Sequence, residues 1–267
     1  MRWDPAQYAA FSDHRARPFF DLVGRVDHPA PRRIVDLGCG PGELTVVLAR
    51  RWPEAEVLGI DSSPEMVERA RSLEDTPANL AFVPGDVRDW TPEAGTDVVV
   101  SNAVLQWVPD HQTLLARWAA ALEERACLAF QVPGNFSAPS HVLMRRLAES
   151  ERWCQQLGSI LRHDDVVSPP EDYHRLLRGA GLEADIWETT YQHLLTGADP
   201  VLEWVRGTGL RPILAALPAA DAAEFERTYA AMLSAAYPPE PDGGTLLAFR
   251  RIFAVGTRSS TGISPAA

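Results

Sequence analysis

The sequence contains no lysine: all 25 basic residues are arginines. This excludes Schiff-base chemistry and a P-loop, both of which need a lysine amine. Any anionic ligand must then be held by arginine, histidine, backbone N–H groups or helix N-termini. Cysteine is scarce as well. Cys39, Cys127 and Cys154 are an odd set with no CxxC pair, so neither a disulfide framework nor a zinc cluster is expected, and the expected compartment is the cytoplasm. His14, His111 and His141 have no ligand-like spacing, so no metal site is expected either. Long hydrophobic runs are missing: Met1 is followed by Arg2, Asp4, Asp13, His14 and Arg15, and no later run approaches a bilayer span, which argues against export and against a membrane partner. Positive charge is in deficit. A net charge of −11 with no basic run repels a phosphate backbone, which removes nucleic acid from the expected partners. What is present, 46% hydrophobic and 23% charged residues, suits an ordinary globular chain acting on small molecules, and the sequence leaves its oligomeric state open.

Asp4 to Val26 reads as two short helices broken near Arg17-Pro18, with Tyr8, Phe11, Phe19, Leu22 and Val23 at helical spacings. From Arg33 the pattern becomes strand then helix, repeated. The expected strands are Ile34-Val35-Asp36-Leu37, Val57 to Ile60, Leu80 to Val83, Asp97 to Val100 and Cys127 to Val132, with helices over Glu43 to Trp52, Pro64 to Leu73 and His111 to Leu122. Such alternation implies a parallel sheet covered on both faces. Beyond Pro133-Gly134 the expectation is one long helix over Ser140 to Leu157, a shorter one over Glu171 to Gly179 and a strand over Leu182 to Tyr191. Helices over Pro200 to Arg206, Ile213 to Leu217 and Ala219 to Ala236 then precede a last strand over Leu246 to Val255. The expected organisation is an N-terminal helical lid at 1–30 and an α/β core at 31–195 and 244–258. The core carries a helical insertion at about 135–165, and a helical cap at 196–243 is inserted before the last strand.

Chemistry concentrates in Val35-Asp36-Leu37-Gly38-Cys39-Gly40-Pro41-Gly42, where the first strand turns into a helix. Glycines there let the backbone turn tightly and approach a ligand. Asp61, nineteen residues beyond Gly42, closes the second strand, where a carboxylate can accept from both ribose hydroxyls. Together these make a nucleoside-binding half. A dinucleotide would place a pyrophosphate at the helix N-terminus, yet Glu43 and Asp36 put carboxylates there, which disfavours a pyridine-nucleotide oxidoreductase. S-adenosyl-L-methionine has no phosphate, and its ammonium and sulfonium would be attracted by Asp36. Asp86 and Asn102 fall after the third and fourth strands, at the carboxyl edge where ligands of open α/β sheets lie, with Asp86 suited to the adenine amino group and the Val87 N–H to its ring.

VDLGCGPGELT, GIDSSPEMVERA, FVPGDVRDW and SNAVLQWVPDH resemble the successive motifs of class I S-adenosylmethionine-dependent methyltransferases, and more narrowly of the trans-aconitate 2-methyltransferase family. WDPAQYAAFSDHRARP, QVPGNFSAPSH and WVRGTGLRP extend the resemblance over nearly the whole chain. It implies a Rossmann-like seven-stranded sheet with an antiparallel last strand, S-adenosyl-L-methionine as cofactor, and methyl esterification of a small polycarboxylic acid. Carried over residue by residue, Asp36, Gly38, Asp61, Asp86, Val87, Asn102 and Gln106 match cofactor-contact positions. Cys39, Gly40, Ser62 and Met66 complete the expected cofactor set, and Tyr8, Trp107, Arg206 and Arg211 are the expected acceptor contacts.

Each of these residues also has a structural reading. Asp61 fits a helix cap for Ser62 onward, Asp86 sits in the turn chemistry of Pro84-Gly85, Asn102 can satisfy local backbone, and Cys39 suits a small filler of the loop. Trp107 could be core, and Arg206 and Arg211, which bracket Gly207 to Leu210, could be solvated charges rather than bidentate carboxylate receptors. A carboxylate acceptor is already ionised at neutral pH and needs no catalytic base, so proximity and water exclusion suffice. A hydroxyl acceptor would need one, for which His14, His111 and His141 are candidates. The alternatives are transfer to a malonyl group on a carrier protein or to a natural-product hydroxyl, and a nonenzymatic sensor of the cofactor.

Overall fold

A computed structural model of the chain describes residues 16–157, 160, 166–206, 209–241 and 243–260. They fall into two compact units, one holding 16–132, 168–188 and 252–260, the other 133–167 and 189–251. The two segments expected as separate helical insertions thus belong to one unit. The long strands contribute to both.

In the first unit a short helix α1 (Arg17–Val23) precedes β1 (Arg33–Leu37), α2 (Glu43–Arg51), β2 (Glu56–Asp61), α3 (Pro64–Arg71), β3 (Leu80–Pro84), β4 (Thr96–Asn102), α4 (His111–Ala121) and β5 (Cys127–Pro133). Pro18 stands in the first turn of α1, as the sequence expects of the break there, and Phe19, Phe20, Leu22 and Val23 are buried. The other helix expected of this segment, with Tyr8 and Phe11, lies outside the described residues. Strands β1 to β5 pair in parallel in the spatial order β3-β2-β1-β4-β5. β1 and β4 are buried almost end to end because helices cover both faces, which is why their sequences run apolar instead of alternating. Arginines tie this unit together through backbone carbonyls: Arg71 donates to Phe82, Arg117 to Arg88 and Trp90, and Arg258 to Ala119 and Ala180. Each fork reaches one or two main-chain carbonyls and so bridges segments set apart in sequence.

Two more strands, β6 (Glu183–Leu195) and β7 (Thr245–Thr257), complete a seven-stranded sheet in the order β3-β2-β1-β4-β5-β7-β6. β7 runs against β5, since Arg258 exchanges hydrogen bonds with Arg125 and Ala126 at the start of β5 while Arg250 accepts from Gly134 at its end. This is the antiparallel last strand that the resemblance implies. Helix α7 (Pro170–Gly179) packs beside α4 and ends at Gly181, whose φ of +82° breaks the helix before β6.

The second unit is built from α5 (Pro139–Ala148), α6 (Cys154–Leu157), α8 (Pro200–Arg206), α9 (Arg211–Ala216), α10 (Ala219–Ala236) and the distal halves of β6 and β7. The single helix expected over Ser140 to Leu157 is two. The Ser150 hydroxyl and N–H both donate to the Leu147 carbonyl, which closes α5. The following turn swings Trp153 into the core, its ring edge-on to Phe225 at 5.7 Å. Helices α5 and α10 are tied at Ser140, whose carbonyl accepts from the Tyr229 hydroxyl at 2.8 Å and whose N–H donates to the Tyr237 hydroxyl at 3.0 Å. Among the described residues, no helix is long and apolar enough to cross a bilayer.

Candidate cofactor site

The loop after β1 is shaped by where its glycines must go. The N–H groups of Gly38 and Cys39 both donate to the Ile60 carbonyl, at 2.7 and 3.0 Å, hooking the loop over the end of β2. Gly38 has φ of +77°, and a Cβ there would lie 2.2 Å from a methyl of Val104. Only glycine permits that approach. Cys39 is buried against Val67, Ala70 and Phe82, and burial pushes its thiol pKa well up, so its side chain is loop packing.

The Asp61 carboxylate, at the end of β2, accepts from the Gly40 N–H at 2.8 Å and the Ser63 N–H at 2.9 Å. Two backbone donors fix its plane and leave its outer lone pairs for a ligand. The helix-cap role falls to Ser63, whose hydroxyl accepts from the Met66 N–H at 3.3 Å, while the Met66 side chain is exposed. Asp36 lies beneath the loop, 3% exposed, and accepts from the Thr45 hydroxyl at 2.7 Å. Burial pushes its pKa up to about 6, against the Thr45 hydrogen bond and with help from the Asp61 charge.

A cavity of about 450 Å³ opens over these strand ends, lined among others by Gly38, Asp61, Ser62, Asp86, Val87, Asn102 and Trp107. Seven of the residues singled out in the sequence therefore face one space. Asp36, Cys39, Gly40, Met66 and Gln106 are not among its lining residues, and Tyr8 lies outside the described residues. Trp107 is 49% exposed on the wall, which removes its reading as core. The sequence reading missed Arg88, which also lines the cavity. Its guanidinium grips both carboxylate oxygens of Asp86 at 2.5 to 3.1 Å and, with its own N–H, holds the Asp86 pKa down. A carboxylate and an arginine two residues apart on a strand end could have signalled that pair.

Among the described residues, two buried acceptors beside the cavity have no hydrogen-bond partner: Asn102 Oδ1 and Gln106 Oε1. The Gln106 orientation is set, because its Nε2 donates to the Ala103 carbonyl at 2.6 Å and leaves the oxygen free. Buried acceptors call for a donor, and an ammonium supplies three. With Asp61 for vicinal hydroxyls, the Val87 N–H for a ring nitrogen and the acceptors of Asn102 and Gln106 for an ammonium, these groups fit an aminoacyl nucleoside sulfonium.

Arg206 and Arg211 lie in the second unit. Arg206, at the end of α8, is held by Glu226 at 2.5 to 2.6 Å and by Glu203 on its own helix. Arg211 opens α9 with an exposed side chain. Among the histidines kept as possible bases, His111 is buried and bonded to Tyr173, His141 packs on Phe136 at 5.1 Å, and His14 lies outside the described residues.

Residues 34–125 match the family model described as a methyltransferase domain. The trans-aconitate 2-methyltransferase of Rhodococcus jostii is 55% identical over 254 residues, covering 95% of this chain and 98% of that protein. The protein of the same name from Streptomyces coelicolor is 55% identical over 263 residues, 96% of this chain and 86% of the other. Among solved structures, the YcgJ protein of Bacillus subtilis superposes with a TM-score of 0.61 at 15% identity over 92% of this chain and 99% of its own. A Haemonchus contortus phosphoethanolamine N-methyltransferase 2 bound to S-adenosyl-L-methionine gives 0.53 at 15% identity, over 91% of this chain and 53% of that one. These two structures share the fold. The near-full-length identity to the first two proteins places the chain in the trans-aconitate 2-methyltransferase family.

Proposed function

We propose that the chain transfers the methyl group of S-adenosyl-L-methionine to a carboxylate of a small polycarboxylic acid, trans-aconitate, forming a monomethyl ester. The observation that carries the cofactor half is the pair of buried acceptors at Asn102 and Gln106, with no partner among the described residues, beside a ribose-ready Asp61. The acceptor half rests on the 55% identity to proteins named for that substrate. When bound, the sulfonium supplies an activated methyl for in-line displacement by a carboxylate oxygen.

The chain's residues bind and orient. Asp61 holds the ribose hydroxyls, the Val87 N–H and Asp86 meet the adenine edge, Asn102 and Gln106 receive the ammonium, and Gly38 leaves room for the main chain to come close. The reacting oxygen arrives ionised, so no side chain needs to take a proton. The confinement of His111 fits this, because a neutral ring already bonded on both sides is not a base for a hydroxyl acceptor. Orientation of this kind can supply roughly 7–11 kcal/mol of a barrier. For the acceptor's carboxylates we assign Arg211 first, and Arg206 only by exchanging its two glutamates. Incubation with methyl-labelled cofactor and a panel of di- and tricarboxylates tests the reading: a base-labile labelled ester of trans-aconitate is expected. A labelled product that survives mild base would replace the carboxylate by a hydroxyl acceptor.

A further inference from the structure

Two residues other than glycine stand in the left-handed backbone region at either end of one cavity wall: Ala103, with φ of +58°, and Asp110, with φ of +55°. A side chain there crowds its own backbone, and such a conformation persists only where surrounding contacts impose it. Between them run Val104, a single 3-10 turn (Leu105–Trp107), Val108 and Pro109. Four of these, Val104, Trp107, Val108 and Pro109, line the cavity. The contacts at the Ala103 end are short. Its N–H donates to the Gln131 carbonyl at 2.9 Å, and its own carbonyl accepts from Gln106.

The Asp110 end is held by a directional chain of hydrogen bonds through His111, the first residue of α4. The ring is 1% exposed and lies between the Val108 backbone and the Tyr173 hydroxyl, 2.8 Å from Nε2. Burial lowers its pKa, so the ring is neutral, with one N–H and one bare nitrogen. The Val108 carbonyl can only accept, so the N–H points to it and Nε2 accepts the tyrosine proton. The Tyr173 oxygen in turn accepts from the Ser168 N–H at 3.1 Å, and Ser168 Oγ accepts from Gln112 at 2.8 Å. Tyr173 is fully buried, with its ring edge-on to Phe130 at 5.1 Å. Neither His111 nor Tyr173 lines the cavity, yet the chain meets, at the Val108 backbone, the wall that does.

We infer that His111 and Tyr173 are positioning residues that hold the Ala103–Asp110 wall in the shape which seats the acceptor against the methyl donor. The inference rests on the methyl-transfer reading. Loosening the wall leaves the ribose and adenine contacts in place and broadens the acceptor's approach, so the loss falls on turnover more than on cofactor binding.

Three variants test it: Tyr173→Phe, His111→Leu and His111→Gln, the last retaining an amide that can donate to Val108 and accept from Tyr173. With trans-aconitate varied at saturating cofactor, kcat of the first two should fall roughly ten- to a hundredfold, because small misplacements of oriented reactants cost that much. Affinity for S-adenosylhomocysteine by calorimetry should fall by less than kcat does, since of the cofactor's contacts only Gln106 lies on the wall, and His111→Gln should recover most of the turnover. Wild-type kcat in folded Tyr173→Phe and His111→Leu would overturn the inference, and so would a His111→Gln that is no better than His111→Leu. Amide hydrogen exchange over residues 103–110 should quicken in Tyr173→Phe while the Gly38–Gly42 loop stays unchanged. That readout needs no turnover, so it tests the clamp even if the wild type methylates no carboxylic acid, an outcome that would overturn the methyl-transfer reading alone.

Discussion

At the scale of single residues, Asp36 and Asp61 divide one task between them. Asp36 was legible as an acidic strand end, but its burial and its Thr45 partner nine positions on depend on how α2 lies against β1, which sequence spacing does not encode. Its raised pKa means that the folded chain binds this proton more tightly than the unfolded chain does. The stability it contributes is therefore full below the ordinary value of 3.8 and is lost as pH rises through about 6. By pH 8 the ionised group should cost about 3 kcal/mol. Asp36→Asn, which keeps an acceptor for Thr45, should accordingly melt above wild type at pH 8, with the gap closing towards pH 4. Thermal denaturation across that range checks it, and equal melting temperatures at pH 8 would remove the buried charge from the account. For Asp61 the expectation concerns the ligand. Asp61→Ala should weaken S-adenosylhomocysteine by about 1.5–3 kcal/mol, roughly ten- to a hundredfold by calorimetry, and an unchanged affinity would mean that the ribose lies elsewhere.

Among elements, the parallel strands were readable to within a residue or two because burial on both faces writes itself as short apolar runs, Ile34 to Leu37 and Val98 to Val100 among them. The helix break at Glu149 was not, since helix formers continue through it and only the demand of Trp153 for the core beside Phe225 bends the chain there. The glycine loop combines both kinds of information. Its motif was plain, but which glycine faces protein and which faces open space was not. A methyl at Gly38 collides with Val104, whereas one at Gly40 meets no protein atom within 4 Å. Gly38→Ala, which adds this collision to a left-handed backbone, should therefore lower stability by about 2–5 kcal/mol, and Gly40→Ala by only about 1–2 kcal/mol from its left-handed backbone. Denaturant melts of the two variants measure the difference, and equal losses would contradict the packing described. The arginines of α8 and α9 separate in the same way. Arg206 must give up Glu203 and Glu226 before meeting an acceptor, so Arg211→Ala should lower kcat/KM for trans-aconitate more than Arg206→Ala does. The reverse order in steady-state kinetics would reassign the pair.

Over the whole molecule the dominant quantity is net charge. At −11 the chain repels a polyanionic acceptor and attracts a cofactor whose ammonium and sulfonium outweigh its carboxylate. The Debye length shortens from about 30 Å at 0.01 M salt to about 10 Å at 0.1 M. Added salt over that range should thus raise kcat/KM for the acceptor and weaken S-adenosyl-L-methionine, leaving the neutral demethylated product nearly unaffected. Slopes of the same sign for acceptor and cofactor would show that local charges outweigh the global field. The absence of lysine, the first thing visible in the sequence, acquires a different meaning from the carbonyls held by Arg71, Arg117 and Arg258. A lysine ammonium in those places would be a single point charge on a freely turning stem, whereas a guanidinium presents its N–H groups in a rigid planar fork. The arginines thus serve the first unit as splints, stiff enough to fix the carbonyls they bridge, where amines would act only as tethers.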